Sequence, residues 1–187
     1  MGAVLLAVLA APAAWAGDGH TGWSASLYAG PSATNRFSDI VEGKVRVTGV
    51  MTGFAVDRDL LNLGWDTSLA AEVQLTQYVF KNTYTTGALG MGLRFHHFPW
   101  NNTSLAIYTG PSYSPNTPIA FTNFYGNSYH MKKFLNYLGI EFAVAIPDHE
   151  QHWDAIFRIY HRSGAWGVYS INIDEGSMIG VGLRARF

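Results

Sequence analysis

The stretch Ile179-Gly180-Val181-Gly182-Leu183-Arg184-Ala185-Arg186-Phe187 carries two interleaved rows. Its odd positions are apolar, and its even positions are glycine or arginine. Alternation with a period of two is the mark of a strand whose faces meet different surroundings. The same reading holds upstream. Trp23, Ala25, Leu27 and Ala29 form one apolar row, and Val45, Val47, Gly49, Met51, Gly53 and Ala55 form a weaker one. Leu63, Trp65, Thr67, Leu69, Ala71 and Val73 follow, then Leu89, Met91, Leu93 and Phe95. Leu105, Ile107 and Thr109 make a shorter row. Leu138, Ile140, Phe142, Val144 and Ile146 come next, then Trp153, Ala155, Phe157 and Ile159. Eight candidate strands result, each pairing an apolar row with a small or polar one.

Composition narrows the setting. Charged residues make up 13% and hydrophobic residues 48% of the 187-residue chain, against about 25% charged in an ordinary soluble domain. A net charge of -1 argues against a nucleic-acid partner, which calls for a basic face. The absence of cysteine removes disulfides, thiolate catalysis and thiolate metal sites together. Residues 1–16 read as a signal peptide: an apolar run ending in Ala14-Trp15-Ala16, with cleavage expected after Ala16. The run is too short to span a bilayer as a helix. Residues 17–187 read as one domain. No stretch within them approaches the roughly 18 apolar residues of a membrane helix. A closed barrel, which satisfies all its backbone hydrogen bonds internally, is the other way across.

The expected fold is therefore all-β, an eight-stranded antiparallel transmembrane barrel with the small row turned into a narrow lumen. Short turns are expected near 58–62, 99–102 and 147–152, and longer loops at about 31–44, 76–84, 114–131 and 164–174, the asymmetry of outer-membrane barrels. Trp23, Trp65, Tyr78, Phe80, Phe98, Trp100 and Trp153 fall near strand ends, where aromatic girdles sit. Thirteen residues from Glu175 to Phe187, tilted by about 40°, cover about 33 Å, enough for the hydrocarbon core. Alternation alone leaves open a soluble lipocalin-like carrier with its apolar row inward.

The residues that could do chemistry gather late in the chain. His149 and His152 fall in a turn, and adjacent His96 and His97 point to opposite faces of a strand. No metal-ligand spacing occurs and no cofactor is called for. Within Ile159-Tyr160-His161-Arg162-Ser163-Gly164, His161 and Ser163 are two apart, so they share the face of Ile159, Phe157 and Ala155. A polar pair at the outer end of a lipid-facing row is costly unless it lies at the interface or serves a function. On the last strand, Glu175 shares the row of Ser177, Ile179 and Val181. Asp174 has the opposite parity, which a bulge would exchange. A nucleophile, a base and an acid to orient the base could meet at His161, Ser163 and Glu175. Solvated interfacial side chains are the competing reading.

This stretch resembles the PagL family of lipid A 3-O-deacylases, eight-stranded outer-membrane barrels with a His-x-Ser motif near the end of strand seven and a Glu twelve residues after the Ser. Here the motif is His161-Arg162-Ser163, and Glu175 lies twelve residues beyond Ser163. The resemblance covers residues 157–187. It departs where family members carry Asn after the Ser and this chain has Gly164. It implies a serine esterase of the outer membrane, acting on the ester at the 3-position of lipopolysaccharide. Ser163 would be the nucleophile, His161 the base and Glu175 its orienting acid. Backbone N–H groups near Gly164 would be oxyanion donors, and Arg162, Lys132 and Lys133 cations for the lipid phosphates. The partners expected are the lipid A substrate and outer-membrane lipid, with association into a homodimer left open. A non-enzymatic barrel in adhesion or structural support is the alternative.

Overall fold

The computed structural model of the chain describes residues 22–33, 42–44, 47–79, 83–116, 132–150, 152–165, 168 and 174–187. Residues 1–16, read above as a signal peptide, lie outside them, as do Val45 and Phe80. Eight strands run in chain order: β1 (Trp23–Ala33), β2 (Val47–Gly64), β3 (Thr67–Val79), β4 (Tyr84–His96), β5 (Thr103–Tyr113), β6 (Phe134–Ala145), β7 (Trp153–Ser163) and β8 (Asp174–Arg186). Each pairs antiparallel with its neighbours, and β1 closes on β8 from Ser24↔Arg186 to Ala33↔Ser177. Past the last ladder pair, Trp23 and Phe187 exchange backbone hydrogen bonds at 3.0 and 2.9 Å.

The apolar rows face outward. Leu27, Val73, Leu89 and Val181 are exposed around the circumference, while Tyr28, Glu72, Arg158 and Tyr160 from the alternate positions are buried. An apolar surface continuous around the whole barrel is far beyond what a soluble monomer exposes. The lipocalin-like reading, which needs the apolar row inside, fails on this orientation.

Polar pairing fills the lumen. Arg158, fully buried, donates to Glu141 at 2.7 Å, to Gln74 at 2.9 Å and to Tyr137 at 2.7 Å, and pairs with Glu72. Arg184 bridges Asp154 at 2.8 Å and Glu141 at 2.9 Å. Arg94 pairs with Asp57 and donates to Tyr108 at 2.6 Å. Tyrosines lie across the bore where glycine leaves room. A Cβ at Gly139 would fall 1.8 Å from the Tyr137 hydroxyl, and one at Gly53 2.2 Å from the Tyr28 ring.

Three expectations are corrected. In β2 the outward row is Val50, Thr52, Phe54 and Val56, while Met51 and Ala55 are fully buried, so the parity read from Met51 and Ala55 is reversed; Val47, beyond a register shift, is exposed. Met51 on the otherwise small lumen row blurred its contrast with the outward row of Val50, Phe54 and Val56. The 58–62 segment is strand, not turn. Asp59 is buried and meets Arg94 at 3.3 Å and His96 at 3.2 Å, so its charge marks the lumen rather than a loop. The turn lies at Trp65-Asp66, both at positive φ (50° and 52°) as a two-residue type I′ hairpin requires. Finally, 76–84 is mostly strand. Thr76 bonds Thr86 across the ladder, Tyr78 stacks on Tyr84 at 4.6 Å, and only 80–83 connects β3 to β4. Tyr78 thus belongs to the lumen, whereas Trp23, Trp65, Phe98, Trp100 and Trp153 are exposed together at the short-turn rim.

Candidate active site

The opposite rim carries the 34–46, 114–133 and 164–173 connections, and the predicted site residues lie there. Strand β7 positions two of them. From Trp153 to Ile159 its alternate residues are outward, and the row continues through His161 to Ser163. His161 pairs in register with Leu138 on β6 and Ser177 on β8, and Ser163 pairs with Asn136 on β6. Directly opposed residues of an antiparallel ladder share a face.

The environments of the two differ. Ser163 is partly exposed. Its Oγ accepts a hydrogen bond from the Ala165 N–H at 3.5 Å, and Ala165 has φ 47°, in the left-handed region. His161 is only 4% exposed although it stands on the outward row. Its Nδ1 lies 2.7 Å from the Oγ of Ser177, a residue with no exposed surface. Sequence reasoning placed Ser177 on the right row but gave it no role. Its signal was present: a hydroxyl residue between Glu175 and the apolar row that starts at Ile179.

Between His161 and Ser163 the β7–β8 ladder shifts register. Ser177 opposes His161, but Asp174, rather than Glu175, opposes Ser163. Strand β8 spends one more residue than β7 over this interval, the definition of a bulge. The regular parity that separated Glu175 from Asp174 in the sequence does not hold across it. The backbone of both acids is in β8, at the site's edge; the side chains of both lie outside the described part of the structure.

The three cations divide. Lys132 and Lys133 are exposed just before β6. Arg162 is 2% exposed and turned into the lumen, donating to Ser112 Oγ at 2.9 Å and to the Lys133 carbonyl at 3.2 Å. Its position between two outward residues dictates this, so it is not placed to meet a lipid phosphate at the outer surface.

No protein-family model matches the chain, and no curated protein matches it. Solved structures with the same architecture do. The outer membrane enzyme PagL superposes with a TM-score of 0.56 at 11% identity, over 88% of this chain and 98% of that one. The N-terminal β-barrel domain of Pseudomonas aeruginosa OprF gives 0.51 at 14% identity, over 88% and 97%. Ail, the attachment invasion locus protein of Yersinia pestis, gives 0.50 at 11% identity, over 89% and 97%. The chain thus has the eight-stranded fold of outer-membrane barrels. Proteins described as an enzyme and as an attachment protein share that fold, so function must be argued from the site.

Proposed function

We propose that the protein is an outer-membrane serine esterase that removes the ester-linked acyl chain at the 3-position of lipid A. The observation that carries this reading is the placement of an imidazole and a hydroxyl two residues apart on the outward row of β7, at the long-loop rim. Polar groups on a lipid-facing row call for a purpose. The spacing His161-x-Ser163 with Glu175 twelve residues on, and its resemblance to the lipid A deacylases, supply one.

In this mechanism Ser163 Oγ attacks the ester carbonyl while His161 takes its proton. The tetrahedral intermediate collapses, and His161 returns the proton to the departing sugar hydroxyl. Water then enters by the same route in reverse and releases the fatty acid. An acid from the start of β8 stabilises the imidazolium. The Ala165 N–H, 3.5 Å from Ser163 Oγ, is a candidate oxyanion donor, and one such donor is typically worth roughly 3–4 kcal/mol. The acyl chain would lie along Ile159, Phe157 and Ala155, whose surfaces are open to lipid. The reading requires the long-loop rim to lie at the outer leaflet, where lipid A resides.

The test is mass spectrometry of lipid A from cells producing wild-type or Ser163→Ala protein. Loss of one 3-hydroxyacyl group with wild type alone is the expected result. A folded, inserted Ser163→Ala variant that still deacylates would end the proposal. A wild-type protein that inserts and leaves lipid A intact would favour the adhesion or structural alternative.

A further inference from the structure

The hydrogen bond between His161 Nδ1 and Ser177 Oγ, at 2.7 Å, lies outside the His-x-Ser and Glu spacing on which the proposed function draws. It joins two register partners on adjacent strands, so it is set by the ladder rather than by a loop. It is the last regular pair before the register shifts. A side-chain bond there fixes the imidazole where the backbone ladder stops doing so.

Polarity matters. If Ser177 Oγ accepts, Nδ1 carries the ring proton and Nε2 presents its lone pair. If Ser177 donates, the proton is on Nε2 and the ring cannot take one from Ser163 through that nitrogen. Base catalysis therefore selects the first arrangement. Burial decides against Ser177 as the nucleophile. It has no exposed surface, and its β1 register partner Ala33 is 2% exposed, so an ester carbonyl has no approach to it. Ser163, partly exposed on the same row, has one.

Resting on the triad reading, we infer that Ser177 is a positioning residue for deacylation: its hydroxyl accepts the Nδ1–H of His161 and holds Nε2 as the basic nitrogen. A hydroxyl orients the ring without countering its charge. The work usually given to a single acid is then divided, with Ser177 setting tautomer and rotation and a β8 carboxylate stabilising the imidazolium.

The experiment uses full-length protein in detergent micelles with purified lipopolysaccharide. Nitrogen-15 NMR of labelled histidine is assigned through His161→Gln. Wild type should show His161 protonated at Nδ1. Ser177→Ala should lower kcat at least about tenfold, below the full contribution of a general base, with KM unchanged, and Ser177→Thr should recover most of the loss. A fluorophosphonate probe should label Ser163. Wild-type kcat in Ser177→Ala, an Nε2-protonated ring in wild type, or probe on Ser177 would each overturn the inference while leaving an esterase. A wild type that neither deacylates nor takes up probe would end the triad reading and this inference with it. Should Ser177→Ala fail to fold, the wild-type tautomer and the Ser177→Thr rates still decide.

Discussion

At the scale of single residues, one backbone irregularity governs the site. A strict alternation through β8 would make Glu175 the partner of Ser163 and leave Asp174 on the other face. The register shift after His161 puts Asp174 opposite Ser163 instead. Removing the charge of each acid separately distinguishes them. In the proposed esterase, Glu175→Gln should lower kcat by about 10²–10⁴-fold, the loss expected when the charge that stabilises the imidazolium is removed, with Asp174→Asn close to wild type. The reverse pattern, measured by acyl release from purified lipopolysaccharide, would transfer the role to Asp174. The hydroxyl at 177 belongs to the same scale. Its position on an apolar row was legible, but its bond to the imidazole depends on which β8 residue faces His161, and only the ladder decides that.

At the scale of elements, glycine in the lumen row sets how strands and tyrosines fit together. On β6, Gly139 lies under the Tyr137 hydroxyl, which donates to Glu72 at 2.7 Å and Gln74 at 3.2 Å. Gly139→Ala would push Tyr137 out of these bonds. Overpacking of this kind costs about 1–3 kcal/mol. It should appear as a lower urea midpoint in detergent or liposomes, with folded mobility on gels retained at room temperature. An unchanged midpoint would mean that the tyrosine moves aside without loss. The β2 strand teaches a related lesson. Arg58 and Asp59 look like turn residues because they are charged, yet Asp59 is a lumen residue satisfied by Arg94 and His96. Charge marks solvent in a soluble hairpin, but in a barrel it equally marks the bore.

At the scale of the molecule, the bore is filled rather than open. Arg158 and Arg184 are each buried between carboxylates from two strands, Arg94 is buried against Asp57 and Asp59 of β2, and the Arg158 guanidinium also stacks 4.9 Å from the Tyr28 ring centre. Such a network ties β3, β6, β7 and β8 together across the lumen. Arg158→Met would leave Glu72 and Glu141 without their shared partner, and breaking a buried pair on one side costs about 3–5 kcal/mol. A large fall in thermal midpoint is expected, and a fall within error would show that the carboxylates find other partners. The packed bore also predicts no stepwise conductance from wild-type protein in planar bilayers. Steady single-channel currents would contradict the filled lumen.

By itself the chain's alternation determined the all-β class, the strand count and, for all strands but β2, which residues share the apolar face, because a period of two is local and one side of each strand is recognisably lipophilic. The His161-x-Ser163 spacing placed both residues on one face for the same reason. What only the tertiary structure decided were features set by neighbouring strands: that the apolar rows face out, that β2 runs on to Gly64, that Arg162 is a lumen residue held by Ser112 and Lys133, and that Ser177 meets His161 just before the register slips. Pairing register and lumen packing are relations between segments distant in sequence, and no local pattern encodes where a bulge will shift them.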